Sequence, residues 1–413
     1  MRQATRSTGG PRPTGSRPAT RTRRPRGPNY GRRRLLAILL VIAAAAVVGI
    51  LVSGALGAGA GRPSGRASVT VGASGGSGSS NRSRGSGGGA VSPASTTRST
   101  TTSATSAARP VSPFRVGLAS LTVLEPSTAA LANARTATGA PARSLPTVIR
   151  YPALGSAARG PAHGLTPAAT GGPFPLVVFS QGFNYPAEGY AGLMQSLTRA
   201  GYVVADPTYP ETDPSTPGGA RESDIVNHPR DLGYLITQLL ATAQRPSSRL
   251  HGLIDPNAIA LAGQSDGGDV TLATAANTCC RDARIRAAVV LSGAEYASFG
   301  GTYYGSGSPP LLVTQGDGDT INVPGCSVGL YDRAPAPKYY LDLLGAPHLA
   351  PYTVPGVTRD HVSSTIIHFL GAYLHHRHGE LAVMRRVGTV PGLMTLTSAR
   401  SLGARGTVCP GAP

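Results

Sequence analysis

The stretch "LAGQSDGG", Leu261–Gly268, sets one serine between glycines directly after an apolar run. Upstream, "NAIALAG" (257–263) reads as a strand, and 265–278 carries the spacing of a helix. Gly263-Gln264-Ser265-Asp266-Gly267 therefore satisfies G-x-S-x-G at a strand-to-helix turn. A turn this abrupt forces the serine into a strained backbone conformation, and its neighbours fit only as glycine. The hydroxyl is then presented at a helix N-terminus, where the dipole favours developing negative charge. Taken alone, the pattern suits a helix cap or a glycine-rich loop equally well. What decides the reading is what else reaches the same edge of the fold.

The segments around it alternate. "VGLASLTVL" and "SLPTVIRYP" are β-rich and separated by turn residues, as two antiparallel leading strands would be. "PFPLVVFS" is apolar throughout, the mark of a strand buried on both faces. "AEGYAGLMQSLTRAG" and "DIVNHPRDLGYLITQLLATAQ" have helical period, with "YVVADP" as a strand between them. "IRAAVVLSG", "PPLLVTQG" and "KYYLDLLG" follow as strands, the last expected to close the series before a final helix in "RDHVSSTIIHFLGAYL". Strands alternating with helices predict an α/β domain, with a mostly parallel central sheet covered on both faces. Only 15 residues separate "VVLSG" from "PPLLV", which leaves no room for a large lid, and the loop 207–224 is expected to form one wall of an open site.

A serine hydroxyl needs a base to become a nucleophile, and the base needs an orienting partner. In "LLVTQGDGDTINVP" a strand ends at Gly316, with Asp317 and Asp319 just beyond it. In "LDLLGAPHLAPY" His348 follows the last expected strand by a short loop that can fold back over the sheet edge. The other histidines lie in the final helix pattern, at its end or in polar connections, and His228 alone has a position from which to approach sideways.

The formal charge of +19 suggests nucleic acid until it is located. Residues 1–112 hold 17 of the 38 basic residues and none of the 19 acidic ones, so 113–413 is nearly neutral and offers no basic binding face. Within the basic part, "LLAILLVIAAAAVVGILV" (35–52) is uncharged and long enough, at about 27 Å as a helix, to span a bilayer. Eleven arginines precede it and should stay cytoplasmic. The expected organisation is a basic tail (1–34), a transmembrane signal-anchor helix (35–60), a disordered Gly/Ser/Thr/Pro-rich linker (61–112) and an α/β domain (113–413). A cleaved export signal is the alternative to the anchor. Both readings place the domain outside the cytoplasm, held at the cell membrane or secreted.

An exported domain with four cysteines implies disulfides. Cys279 and Cys280 end the helix that follows Ser265, far from Cys326 just past the acid loop. Cys326 is therefore expected to pair with Cys409 and to pin the tail there. No histidine neighbours the cysteines at ligand spacing, so neither a metal nor another cofactor is expected.

"RSLPTVIRYPA", "LVVFSQGF", "GQSDGG", "QGDGD" and "GAPH" together resemble the α/β-hydrolase superfamily. The likeness, over about residues 115–378, is to the branch containing dienelactone hydrolases, platelet-activating-factor acetylhydrolase-like enzymes, chlorophyllases and bacterial polyester hydrolases. It implies a triad of Ser265, Asp319 and His348 in that chain order, with Asp319 preferred to Asp317 because the acid usually lies three residues past the strand-ending glycine. It also implies an oxyanion pocket made by the backbone N–H groups of Phe183 and Asp266. Gln181 stands where these relatives usually have histidine. The Asp266 carboxylate would repel an oxyanion unless it turns outward. The implied activity is hydrolysis of small-molecule, lipid or polymeric esters through an acyl-enzyme, with a non-catalytic surface-binding protein or an acyltransferase on the same scaffold as alternatives.

Overall fold

The computed structural model describes residues 113–126, 142–403 and 409. The expected basic tail, membrane helix and linker lie outside the described residues. Among those described, no helix is long and apolar enough to cross a membrane.

Strands β1 (Arg115–Glu125) and β2 (Arg143–Ala153) pair antiparallel in an unbroken register, as expected of two β-rich segments separated by turn residues. After the short β3 (Ala162–His163), elements alternate: β4 (Phe174–Ser180), α1 (Ala191–Arg199), β5 (Val203–Pro207), α2 (His228–Gln244), β6 (Ile254–Gln264) and α3 (Asp266–Ala276). β7 (Ile285–Leu291), β8 (Leu311–Gly316), α4 (Pro324–Arg333) and β9 (Lys338–Leu343) follow, then α5 (Ala350–Thr353), α6 (Val357–Leu374), α7 (Glu380–Val387) and β10 (Met394–Thr397). The sheet order is β10-β9-β8-β7-β6-β4-β5-β2-β1-β3. Strands β5, β4, β6, β7, β8 and β9 run parallel to one another, while β2 and β10 flank them antiparallel.

The strand series does not close at "KYYLDLLG" as expected, because α7 and β10 extend it. Met394–Thr397 is too short to show a period of its own and becomes a strand by pairing with Tyr340–Leu343 of β9. Between β7 and β8 the only helical element is one 3-10 turn, Ala297–Phe299, so no α-helical lid covers that edge.

Alternation along each central strand divides the core in two. Leu176 and Val178 of β4 and Leu261 of β6 pack with Leu232, Leu235 and Val270 from α2 and α3. Val177, Phe179 and Ala260 face the other way, against Leu193 of α1 and Ile366 and Phe369 of α6. With both faces covered, the strands must be apolar throughout, which is why they read as continuous runs. The chain leaves β4 for β5 on one side and then returns to β6 on the other. That change of direction opens a crevice beyond the carboxyl ends of β4 and β6, where open α/β sheets place their ligands.

Packing at this crevice is close. A Cβ on Gly267 would sit 2.1 Å from the Ser180 carbonyl oxygen at the end of β4. Gly267→Ala is therefore expected to destabilise the fold by about 1–3 kcal/mol or more, since backbone must move to admit the methyl. Urea denaturation followed by circular dichroism measures this, and a midpoint equal to that of the parent would contradict it.

Candidate active site

Ser265 sits between β6 and α3 with φ 56° and ψ −126°, a left-handed conformation that a non-glycine residue adopts only when its surroundings impose it. Its N–H donates to the Leu291 carbonyl of β7 at 2.9 Å, and its carbonyl accepts the N–H groups of Gly268 and Asp269 at 2.7 and 3.0 Å. The turn is thus held by the neighbouring strand and by the first turn of the helix it starts. The Asp269 carboxylate adds an anchor by accepting the Ala294 N–H at 2.6 Å.

Asp319 and His348 come together at the same edge. The imidazole Nδ1 lies 2.7 Å from Asp319 Oδ2. That carboxylate also accepts the Ile321 and Asn322 N–H groups at 2.8 and 3.0 Å and the Gln315 side-chain amide at 2.9 Å. Four N–H donors therefore fix one buried carboxylate. Asp317, the alternative acid, is exposed and its carboxylate accepts the Gly345 N–H. It makes no hydrogen bond to the imidazole among the described residues and instead ties the acid loop to the loop that carries His348.

Ser265 and His348 are not hydrogen-bonded. The Ser265 hydroxyl makes no side-chain hydrogen bond among the described residues, and His348 Nε2 lies 3.2 Å from the side-chain nitrogen of Gln264. That same nitrogen donates to the His348 carbonyl at 3.0 Å. The imidazole is thus docked on Gln264, the residue preceding Ser265.

The loop after β4 lies against the elbow, for a Cβ on Gly182 would fall 3.2 Å from Ser265 Cβ. The Gly182 N–H is engaged by the Tyr190 hydroxyl at 3.3 Å, whereas the Phe183 N–H makes no hydrogen bond among the described residues. Asp266 opens α3, so its N–H belongs to the set that a helix N-terminus directs outward. Its side chain does not turn to solvent but is buried, at 4% exposure. Gln181, in the position where the resembled relatives have histidine, is buried with neither side-chain amide atom hydrogen-bonded.

Two residues of this site escape a reading of the sequence. Gln264 occupies a position that G-x-S-x-G leaves open, and Tyr190 is one apolar residue among several in its segment; no pattern in the sequence singles out either. The histidines set aside do serve elsewhere, with His361 and His368 bonding the Val387 carbonyl and the Glu380 carboxylate to join α6 to α7.

His228 does not enter the site. It is buried and stacked on Tyr209 with ring centroids 3.7 Å apart, its Nε2 lying 3.4 Å from Thr212 Oγ1 and 3.5 Å from Asp224 Oδ2. Burial pushes its pKa below the ordinary histidine value, against the pull of Asp224. Thr212 in turn accepts the Asn184 N–H at 2.9 Å, so the 207–224 loop packs beside the segment after β4. Arg143 clamps this region by bonding Asp224 at 2.7 and 2.8 Å and Asp231 at 2.7 and 2.8 Å.

The cysteines form two pairs, Cys326–Cys409 with Cα atoms 5.5 Å apart and Cys279–Cys280 between chain neighbours. Among the described residues no cluster of His, Cys, Asp and Glu is arranged to hold a metal ion.

No family model matches the chain, and no curated protein matches it. Among solved structures it is similar to a ferulic acid esterase from Streptomyces cinnamoneus, with 19% identity and a TM-score of 0.48 over 65% of this chain and 93% of that one. The mostly parallel α/β sheet and the strained turn at Ser265 are read from the strand order and the backbone themselves.

The Arg143 clamp has a pH signature. Burial alone would raise the Asp224 pKa, but hydrogen bonds from His228 and Arg143 outweigh it and hold the carboxyl well below the usual range. A depressed folded pKa contributes stability that is present above the unfolded carboxylate value and is lost as the pH falls toward the folded one. Asp224→Asn should therefore lower the unfolding free energy at pH 7, and the gap to the parent should narrow as the pH is taken to 2. Chemical denaturation across that range measures it; a gap that stays constant with pH would contradict the assignment.

Proposed function

We propose that the chain is a serine hydrolase that cleaves carboxylic esters through an acyl-enzyme, with its domain held outside the cytoplasm by an N-terminal membrane helix. The observation that carries the reading is the Asp319-bound imidazole docked on the residue next to a strained serine. Nucleophile, base and orienting acid each follow the carboxyl end of a different strand, β6, β9 and β8, and so converge on one edge of the sheet.

In the forward step Ser265 Oγ attacks the ester carbonyl carbon while His348 Nε2 takes its proton. For this the Ser265 hydroxyl replaces the Gln264 N–H at Nε2. The carbonyl oxygen becomes an oxyanion facing the N–H groups of Phe183 and Asp266, donors worth about 3 kcal/mol each when pre-aimed. Collapse expels the alcohol, which receives the proton from His348. Water deprotonated by the same imidazole then attacks the acyl-serine, the acid departs, and Ser265 recovers its proton. Asp319 accepts from Nδ1 throughout, stabilising the imidazolium without itself taking the proton.

The absence of an α-helix between β7 and β8 supports an open site, suited to small-molecule, lipid or polymeric esters. The two cysteine pairs support an oxidising compartment, and the apolar run 35–52 behind its arginines supports the tether.

Ser265→Ala should reduce turnover of a short p-nitrophenyl ester by at least about 10³-fold while leaving the unfolding midpoint unchanged. Asp319→Asn should cost about 10³–10⁴-fold, since the imidazole then loses its correct tautomer. Steady-state assays on purified protein decide both, and full activity in Ser265→Ala would reject the reading.

A further inference from the structure

We infer that Gln264 is a positioning residue that fixes the tautomer of His348 by donating to its Nε2. The inference rests on the hydrolase reading for its consequence, but not for its geometry.

The assignment follows from one group that has no choice. The His348 backbone carbonyl can only accept, so the Gln264 atom 3.0 Å from it must be the amide nitrogen. That nitrogen has a second hydrogen, and it lies 3.2 Å from His348 Nε2. The ring nitrogen must then be the acceptor and carry no proton. Nδ1 therefore bears the ring proton and donates it to Asp319 Oδ2 at 2.7 Å.

The far end of the amide is equally constrained. Gln264 Oε1 accepts the Tyr190 hydroxyl at 2.7 Å, and that hydroxyl oxygen accepts the Gly182 N–H at 3.3 Å. Tyr190 is fully buried, and burial raises its pKa far above the ordinary phenol value, so it stays a neutral donor. A directed chain results, from Gly182 through Tyr190 and Gln264 to His348. It joins the loop after β4, the 3-10 turn Ala187–Tyr190, the elbow and the loop after β9.

This chain has a chemical consequence. Once His348 has taken the Ser265 proton on Nε2, the Gln264 N–H can no longer donate there, so its hydrogen bond is available only to the neutral ring. Losing that bond disfavours a lingering imidazolium and favours passing the proton on to the leaving alcohol. The titratable group bonded to the imidazole is Asp319; Asp317 of the same acid loop bonds the Gly345 N–H, and Tyr190 reaches the ring only through Gln264.

The test uses the full-length protein labelled with 15N-histidine, with the His348 signals assigned by their loss in His348→Asn. At neutral pH the parent should show His348 with its proton on Nδ1. In Gln264→Glu the imidazolium should persist upward, its titration midpoint rising by about one pH unit, and the acidic limb of kcat/KM should move with it. Gln264→Met, which removes the donor without adding charge, should show a smaller rise and a mixture of tautomers, and it keeps the test alive if a buried glutamate prevents folding. An unchanged tautomer and midpoint in the folded variants would overturn the inference. The NMR signals do not depend on turnover: a protein without esterase activity whose His348 titration still shifts would reject the hydrolase reading and leave the Gln264 assignment standing.

Discussion

The bond from His348 Nδ1 to Asp319 Oδ2 joins, side chain to side chain, two loops that the Asp317–Gly345 contact also ties together. One follows β8 and the other follows β9, and these strands pair in parallel register from Leu311 with Lys338 to Gly316 with Leu343. Their carboxyl ends therefore lie side by side, and only short excursions are needed to bring an acid beneath an imidazole. The Gln264 amide then carries the connection to the end of β6, where the strained serine stands. The crevice created by the reversal at β4 supplies the remaining face. Sheet topology determines which residues can meet, and buried hydrogen bonds determine how they meet.

The support for this edge is a polar layer rather than a continuation of the apolar core. Gln315 donates to Asp319, to the Asn322 carbonyl and to the Gly316 carbonyl, and its own oxygen accepts from Ser327 at 2.5 Å. Tyr352 bonds Ser292 and Thr314 at 2.9 and 3.1 Å. Each of these groups would be costly if left unpaired at such burial, so the network fixes the loops in a single arrangement. On the opposite side Arg143, Asp224 and Asp231 do the same for the wall beside the loop after β4.

Much of this was legible in the sequence because the signals are covalently local. The apolar runs of β4, β6 and β7, the glycines around Ser265 and the placement of Asp319 and His348 just after strand ends all follow from residue type and period. Two features were not legible, for physical reasons. β10 has only four residues and exists through its pairing with β9. The Gly182–Tyr190–Gln264–His348 chain joins residues far apart along the chain through side-chain geometry, and glutamine in the open position of the motif looks no different from any other residue there. The burial of the Asp266 side chain was likewise a matter of packing, which residue type does not set.

The most direct test is where a covalent inhibitor attaches. The full-length protein treated with a fluorophosphonate and mapped by tandem mass spectrometry should carry one adduct, on Ser265, and His348→Asn should slow its formation by orders of magnitude. An adduct on a different residue, or none on a folded protein, would contradict the account.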